Sequence, residues 1–183
     1  MKKLLVITIL GAVFSGCALN VAATNPRPNF NIPQSGKTLS LVLDTNIGDA
    51  FTIPPSNGVT TTNVTGWHKT LRNGFENGFK DHYKLTGGRT DLVLTLKRAD
   101  MGFAPTSVLV DQRGENYGAA SIRSQIVYNA QLVSSDGTII GSSANTAESK
   151  KSITDPKEMS QSVGDAVESM YEIIADEIFK QIK

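Results

Sequence analysis

Residues 120–148 read ASIRSQIVYNAQLVSSDGTIIGSSANTAE, and the alternation of apolar and polar side chains in this stretch decides the fold. The apolar side chains are Ile122, Ile126, Tyr128, Ala130 and Leu132. The polar side chains between them are Arg123, Gln125, Asn129 and Gln131. Asp136-Gly137 is a strong signal for a tight turn between two strands. The pattern therefore predicts an antiparallel hairpin, with strands over 120–134 and 138–148, that has one apolar face and one wet face.

The segment that follows the hairpin predicts a long helix over residues 155–182. Its apolar side chains recur every three or four positions and therefore share one helical face. They are Val163, Val167, Met170, Ile174 and Ile178, with Ala166 and Ile173 beside them. Asp155 is placed to cap the helix, Pro156 suits its first position, and Glu158 sits where a capping box has an acid.

Two more strands are predicted ahead of the hairpin. Residues 39–43, Leu-Ser-Leu-Val-Leu, are mostly apolar, and a Pro- and Gly-containing loop is predicted further along, over 54–58. Residues 91–98 alternate in the manner of a strand with one buried face. Residues 100–117 show no period and are predicted to be irregular, apart from a short strand at 108–111.

A first helix is predicted over residues 64–83. Its apolar face holds Val64, Trp67, Leu71, Phe75, Phe79 and Tyr83, which step by three or four positions. Thr62 or Asn63 is placed to cap its start, and Gly87-Gly88 ends it. Two amphipathic helices and a sheet with one polar face predict an α+β fold. We expect a two-layer sandwich, in which both helices cover one face of a mostly antiparallel sheet of about four strands.

The chain opens with the layout of an export signal. Lysines stand at positions 2 and 3, residues 4–14 form an uncharged and mostly apolar run, and Ser15 and Gly16 are small. This order of charge, apolar run and small residues is typical of a signal peptide, here over 1–16. The run is too short to span a bilayer as a helix, which needs ~20 residues.

Phe14-Ser15-Gly16-Cys17 resembles the lipobox of bacterial lipoproteins, although Leu is usual where Phe14 stands. The resemblance implies cleavage between Gly16 and Cys17 and an anchor of palmitate-like acyl chains on Cys17. Cys17 is the one cysteine in the chain, so it cannot form an internal disulfide, and lipidation explains a lone exported thiol. One acyl chain binds a membrane marginally, whereas several anchor a protein stably.

The residues after Cys17 bear on location and on domain limits. Ala18 stands where enterobacterial lipoproteins retained in the inner membrane carry Asp, so the resemblance implies the outer membrane. We expect the periplasmic face, with exposure at the cell surface left open. Residues 17–36 are rich in Pro and Asn and predict a flexible tether, although Phe30 and Ile32 alternate and could pack along the domain. A single domain is predicted over 37–183.

Charge and motifs exclude several kinds of partner. The chain has 18 Lys and Arg against 17 Asp and Glu, so it has no strong field to attract nucleic acid. Residues 35–38 read Ser-Gly-Lys-Thr, but Asn31 stands where a phosphate-binding loop needs Gly. We therefore predict no nucleic-acid partner and no cofactor.

No pattern predicts a metal site or catalysis. His68 and His82 are the two histidines, and on one helix they would lie ~21 Å apart, too far to share a metal ion. The chain has no Gly-x-Ser-x-Gly motif for an activated serine. The spacing of Asp91, Asp100 and Asp111 does not require any two carboxylates to meet. We predict that the protein is not an enzyme.

The order of these features resembles the YajG-type outer-membrane lipoproteins. The shared features are the lipobox, a Pro-rich lead, a strand and helix, a long hairpin, and a closing helix that contains residues 163–167 and 174–176. The resemblance covers most of the chain after the signal and implies a cell-envelope lipoprotein without assigned chemistry. It carries over no catalytic residue.

Two functions follow from the sequence. The first is an accessory lipoprotein that binds an envelope protein through the polar hairpin face formed by Arg123, Gln125, Asn129 and Gln131, or through an exposed sheet edge. The alternative is a lipid-binding or lipid-transport auxiliary with an apolar groove between helices and sheet. That groove would be lined by Trp67, Leu71, Phe75 and Phe79, the same stripe that would pack the helix on the sheet.

Overall fold

The computed structural model describes residues 18–55, 61–88, 90–110, 114 and 116–182. Gly16, Cys17 and the predicted signal peptide lie outside these ranges. Within them lie two helices, α1 (Trp67–Phe79) and α2 (Met159–Glu177), and short 3-10 turns at Pro156–Glu158 and Phe179–Gln181. The strands are β1 (Leu19–Val21), β2 (Thr38–Leu43), β3 (Ala50–Ile53), β4 (Thr62–Thr65), β5 (Lys84–Leu85), β6 (Leu92–Val110), β7 (Asn116–Ser134) and β8 (Ile139–Glu148).

The α+β class is confirmed, but the sheets differ from the prediction of one mostly antiparallel sheet of about four strands. The larger sheet has five strands in the order β5-β2-β6-β7-β8, and β2 runs parallel to both of its neighbours. A second sheet has three strands in the order β1-β4-β3. Short strands such as β1, β3 and β4 have too few residues to show a period, and β1 pairs with β4, which is distant in sequence.

The predicted hairpin is confirmed. β7 and β8 pair antiparallel, and Gly137 adopts the positive φ of 88° that the tight turn requires. Ile122, Ile126, Tyr128, Ala130 and Leu132 are all buried against the helices. Alternation along one strand is sufficient to assign these side chains to the inner face.

The prediction that residues 100–117 are irregular is wrong for 100–110 and 116–117, because β6 continues to Val110 and β7 already begins at Asn116. The register shifts between Leu96 and Arg98, which is the signature of a bulge. Before the bulge the buried side chains are Leu92, Leu94 and Leu96; after it they are Ala99, Met101 and Phe103. The bulge moves the inward set from even to odd positions, so the alternation is lost from the sequence while the strand continues.

Helix α1 begins later than predicted and has a different cap. Val64 lies in β4, and Gly66 turns the chain with a left-handed φ of 67°. Neither Thr62 nor Asn63 caps the helix. Asp49 does so instead, since its backbone oxygen accepts from the Trp67 amide (3.0 Å) and its carboxylate accepts from the His68 amide (2.8 Å). Because this cap comes from another segment of the chain, local sequence does not reveal it.

The segment over residues 18–36 is extended, and it lies along both helices. The Asn73 side-chain amide donates to the Thr24 carbonyl (2.8 Å), and the Arg27 amide donates to the Glu168 carboxylate (2.7 Å). Phe30 packs on Phe79 with 4.9 Å between ring centroids. Ile32 is buried, so the alternative in which Phe30 and Ile32 pack along the domain describes this segment.

The β7–β8 turn makes stability depend on pH. The Ser134 hydroxyl and the Thr138 amide both donate to the Asp136 carboxylate and lower the pKa of Asp136 from 3.8 to about 2. A pKa that is depressed in the folded state contributes stability above pH 3.8, and this contribution is lost as the pH falls towards 2. We expect Asp136→Asn, which keeps the acceptor oxygen but cannot titrate, to lose less stability between pH 4 and pH 2 than the wild type.

The measurement is urea unfolding at a series of pH values, with Asp81→Asn as the control. Asp81 is also exposed but accepts no side-chain hydrogen bond in the described ranges. The control should follow the wild-type pH dependence. Equal slopes for wild type and Asp136→Asn would contradict the role assigned to this carboxylate.

Candidate functional site

The outward face of the five-stranded sheet is the broadest surface that the predicted residues share. Arg123, Gln125, Asn129 and Gln131 alternate with buried neighbours along β7, so all four lie on this face. Both helices pack on the opposite, inner face. Arg123 is held by Glu148 (3.6 Å) and by the Ser152 hydroxyl (3.2 Å). The structure therefore brings the four predicted side chains together on one exposed sheet surface.

This face is polar and close to neutral over most of its area. Arg98 and Asp100 form an exposed ion pair at 2.6 Å, and the other outward side chains of β7 and β8 are mainly amides and hydroxyls. Such a surface offers many hydrogen-bond donors and acceptors but has no strong field. It suits a hydrogen-bonded interface better than the capture of a charged polymer.

One end of the face is apolar. The strand register places Val93, Val133 and Ile139 in one row across β6, β7 and β8. Ile139 is 58% exposed, and Val42 of β2, which pairs with Thr95 in the next row, is 45% exposed. Single exposed apolar side chains are ordinary, but a row that crosses several strands forms a continuous patch.

The structure places the predicted lipid groove in the core. Trp67, Leu71 and Phe79 are at most 1% exposed, and Phe75 is 4% exposed. Phe79 packs against Phe179 (4.7 Å between centroids) and Tyr171 (6.1 Å), which fill the space between the helices. A lipid chain would reach Leu71 and Phe79 only if the helices separated.

Two cavities border these elements. One of about 950 Å³ is bordered by β2, α1, residues 85–88 and the β7–β8 turn. Another of about 440 Å³ lies between β3 and the middle of β6. Ile47, Phe51, Ile53, Trp67 and Met101 supply the apolar half of the walls of the second cavity, and polar atoms supply nearly as much.

The two histidines have structural contacts and do not lie on one helix as predicted. The His68 ring donates from Nε2 to the Ile47 carbonyl at 2.6 Å. His82 follows the end of α1 and stacks on Phe30 with 5.8 Å between centroids. No group of three or more His, Cys, Asp or Glu in the described ranges could hold a metal ion.

The carboxylates singled out from the sequence do not meet. Asp91 accepts from the amide and hydroxyl of Thr38 (both 2.8 Å), which lower its pKa. Asp100 pairs with Arg98 on the polar face. Asp111 lies outside the described residues.

The sequence did not predict a buried chain of hydrogen bonds that links Tyr128, Ser143 and Glu177. Ser143 donates to the Glu177 carboxylate (2.5 Å), which leaves its oxygen to accept from the Tyr128 hydroxyl (3.0 Å). Burial raises the pKa of Tyr128. Ser143 is 3% exposed, so this chain joins α2 to β8 and presents no open nucleophile.

No protein-family model and no curated protein sequence matches this chain. Among solved structures, a protein from Xanthomonas campestris of the family DUF330 has a TM-score of 0.54 at 17% identity, covering 85% of this chain and 92% of its own. At this identity the likeness establishes a shared fold and nothing about activity.

Two other solved structures have lower scores. A minor lipoprotein from Acinetobacter baumannii has a TM-score of 0.47 at 14% identity, covering 80% of this chain and 92% of that one. The uncharacterized lipoprotein B from Nitrosomonas europaea has a TM-score of 0.40 at 10% identity, covering 78% and 84%.

Proposed function

We propose that this protein is an exported bacterial lipoprotein that is cut before Cys17 and anchored in the outer membrane by acyl chains on that cysteine. Its folded domain binds an envelope protein through the outward face of the five-stranded sheet, without enzymatic activity, as an accessory of a larger assembly. The observation that carries the binding role is the exposed polar face on which Arg123, Gln125, Asn129 and Gln131 lie together.

Support for the anchor comes from the N-terminal sequence. A positive start, a short apolar run, two small residues and a lone cysteine stand in the order of a lipoprotein signal. In the described ranges, no helix is long and apolar enough to cross a membrane.

Support for partner binding comes from the size and chemistry of the face. With ~3.3 Å per residue and ~4.8 Å between strands, the area between β2 and β8 spans roughly 20 by 30 Å. This approaches the ~800 Å² that each partner buries in a standard interface. A polar surface with an apolar row at one end matches the composition of such interfaces, in which apolar contacts lie beside hydrogen bonds.

The cavity beside Trp67 favours lipid binding as a second candidate. Its volume of about 440 Å³ and the apolar side chains on its walls, Phe51, Trp67 and Met101 among them, fit part of an acyl chain. Lipid that stays bound to the protein through extraction and native mass spectrometry would support this candidate. Its test is separate from that of the sheet face, because the cavity lies between β3 and β6.

The anchor predicts a specific intact mass. Protein extracted from its native membrane should have the mass of residues 17–183 plus acyl chains, and Cys17→Ser should lose both the acyl mass and the membrane fraction. Ser15→Ala keeps a small residue ahead of the cysteine and serves as the matched control. An unmodified mass for the wild type would contradict the anchor and leave the binding role of the domain untouched.

The binding face predicts a defined cross-link. A photoreactive amino acid at the exposed position Asn129 should yield one protein adduct in intact membranes. Gln131→Arg, two residues along the same face, should reduce the adduct at least tenfold by placing a bulky charge in the contact. Gln161→Arg makes the same change on an exposed position of α2 and should leave the yield unaltered. A cross-link yield that Gln131→Arg leaves unchanged would refute binding through this face.

A further inference from the structure

Strand β2 is longer than β5, the two-residue strand that pairs with it at the sheet edge. β5 pairs only with Thr38 and Leu39, and the Thr86 amide donates the last bond, to the Leu39 carbonyl at 3.2 Å. In the part of the chain that the structure describes, no backbone hydrogen bond joins Leu41 to the segment after Leu85. The remaining length of β2 is therefore a free edge.

Two hydrogen bonds show which way the backbone groups of β2 point: Asp44 to Leu96, and Thr86 to Leu39. The Asp44 amide donates to the Leu96 carbonyl of β6 at 2.9 Å, so even-numbered residues of β2 direct their N–H and C=O groups towards β6. Odd-numbered residues direct theirs to the opposite side, as Leu39 does. The N–H and C=O groups of Leu41 and Leu43 consequently face the free edge, spaced as a strand of a sheet presents them.

The cavity of about 950 Å³ borders this edge, and its walls come from β2, α1, residues 85–88 and the β7–β8 turn. Leu41, Phe75 and Leu85 contribute apolar surface to it. Its rim on α1 carries Arg72, Glu76 and Lys80, one helical turn apart from one another. Within the described ranges neither Arg72 nor Lys80 forms an ion pair, so the rim has an excess of unpaired positive charge.

We propose that this groove binds an extended, acidic peptide segment of another protein, which adds a strand to the free edge of β2. The peptide backbone pairs with Leu41 and Leu43, and every second side chain packs on Leu41, Phe75 and Leu85. Acidic side chains face Arg72 and Lys80. Strand addition of this kind takes its affinity from main-chain bonds and its selectivity from alternate side chains.

Several features favour a peptide over a small molecule. A peptide carries N–H and C=O groups at the repeat that the edge of β2 requires. The cavity, at about 950 Å³, lies at the upper end of the usual range for small ligands, ~300–1,000 Å³. At Gly87, where the chain turns away from β2, a Cβ atom would have no neighbour within 4 Å, so the path beyond β5 has room.

The residues assigned to peptide binding differ from those of the polar face. They lie on β2, β5 and α1, whereas Arg123, Gln125, Asn129 and Gln131 lie on β7. The two surfaces adjoin at Val42 and Val93, which line the cavity and belong to the apolar end of the face. A protein with both surfaces holds a folded partner on the sheet and an extended segment at its edge. Either surface could fail its test while the other passes.

The test selects peptides and then locates them. A phage-displayed library of random dodecapeptides is panned on the full chain, expressed with its own N-terminal segment and purified in detergent. We expect enriched sequences with apolar residues at every second position and with Asp or Glu between them. Nuclear magnetic resonance with one enriched peptide should shift the Leu41 and Leu43 amides and slow their hydrogen exchange, while Ser40 and Val42 already bond to β6.

Charge reversal then tests the rim. The double variant Arg72→Glu/Lys80→Glu should lower the affinity for the enriched peptide at least tenfold. The control, Lys151→Glu/Lys157→Glu, changes two exposed lysines away from the groove and should leave that affinity unchanged. Arg72→Gln/Lys80→Gln should have an intermediate effect. The proposal is overturned if no peptide is enriched, if amide shifts fall outside β2 and α1, or if the charge-reversed protein binds as well as the wild type.

Discussion

Replacing Trp67 by Ala is expected to lower the free energy of unfolding by roughly 3–5 kcal/mol. Trp67 is 1% exposed and is the first residue of α1. Its indole N–H donates to the Ala99 carbonyl of β6 at 3.0 Å, and its ring meets Phe51 of β3 edge to face at 6.1 Å. One side chain thus joins the helix, the small sheet and the large sheet, so its loss removes contacts to all three.

A loss of this size is a large part of the ~5–15 kcal/mol that stabilises a typical domain. Urea unfolding of the wild type and of both Trp67→Ala and Trp67→Phe measures it. Trp67→Phe keeps most of the apolar area but leaves the Ala99 carbonyl without its donor, at a cost of about 1–3 kcal/mol. The phenylalanine variant should therefore lie between the other two proteins. A cost below about 1 kcal/mol for Trp67→Ala, well under the usual range for a buried Trp, would show that this side chain does not join the sheets.

Replacing Gly74 by Leu is expected to destabilise the fold by about 3 kcal/mol, because α1 and α2 touch at this glycine. A Cβ atom there would lie 2.9 Å from both Tyr171 Cε2 and Val167 Cγ1. Tyr171 cannot easily move away, since its hydroxyl donates to the Leu71 carbonyl at 2.8 Å and its ring packs between Phe75 and Phe79. Even Gly74→Ala should be destabilising, because the overlap outweighs the ~1 kcal/mol gained in helix propensity.

Gly164 provides the matched control for this prediction. It is also a buried glycine within a helix, but the nearest atom to an added Cβ is Thr24 Oγ1 at 3.7 Å, an ordinary contact distance. Gly164→Ala should therefore stabilise the protein by up to about 1 kcal/mol. Thermal and urea unfolding of the two alanine variants should move in opposite directions. Stabilisation by both would mean that the helices are not in close contact at Gly74.

Much of the candidate interface could be read from one strand. Arg123, Gln125, Asn129 and Gln131 share a face because side chains alternate along a strand, whatever lies around it. The lipid groove shows the limit of the same reasoning on a helix. Periodicity places Trp67, Leu71, Phe75 and Phe79 on one face, but it does not say whether that face is open or covered. In the structure, Tyr171 and Phe179 cover it.

The free edge of β2 and its groove could not have been located from the sequence. Residues 39–43 read as a strand, but nothing in them says which neighbour is short. The edge exists because β5 ends after two residues, at a segment far along the chain from β2. The position of Arg72 and Lys80 beside it depends on how α1 packs across the sheet.

The sequence by itself determined the β7–β8 hairpin, the long C-terminal helix and the polar face, since each depends on a repeat within one element. The tertiary structure alone decided the parallel pairing of β2, the second sheet, the cap supplied by Asp49 and the course of residues 18–36 along the helices. The bulge after Leu96 belongs to this second group, because it shifts the buried positions without ending the strand. Local periodicity is imposed by the geometry of a single element, whereas pairing partners and covered surfaces depend on contacts between residues far apart in the chain.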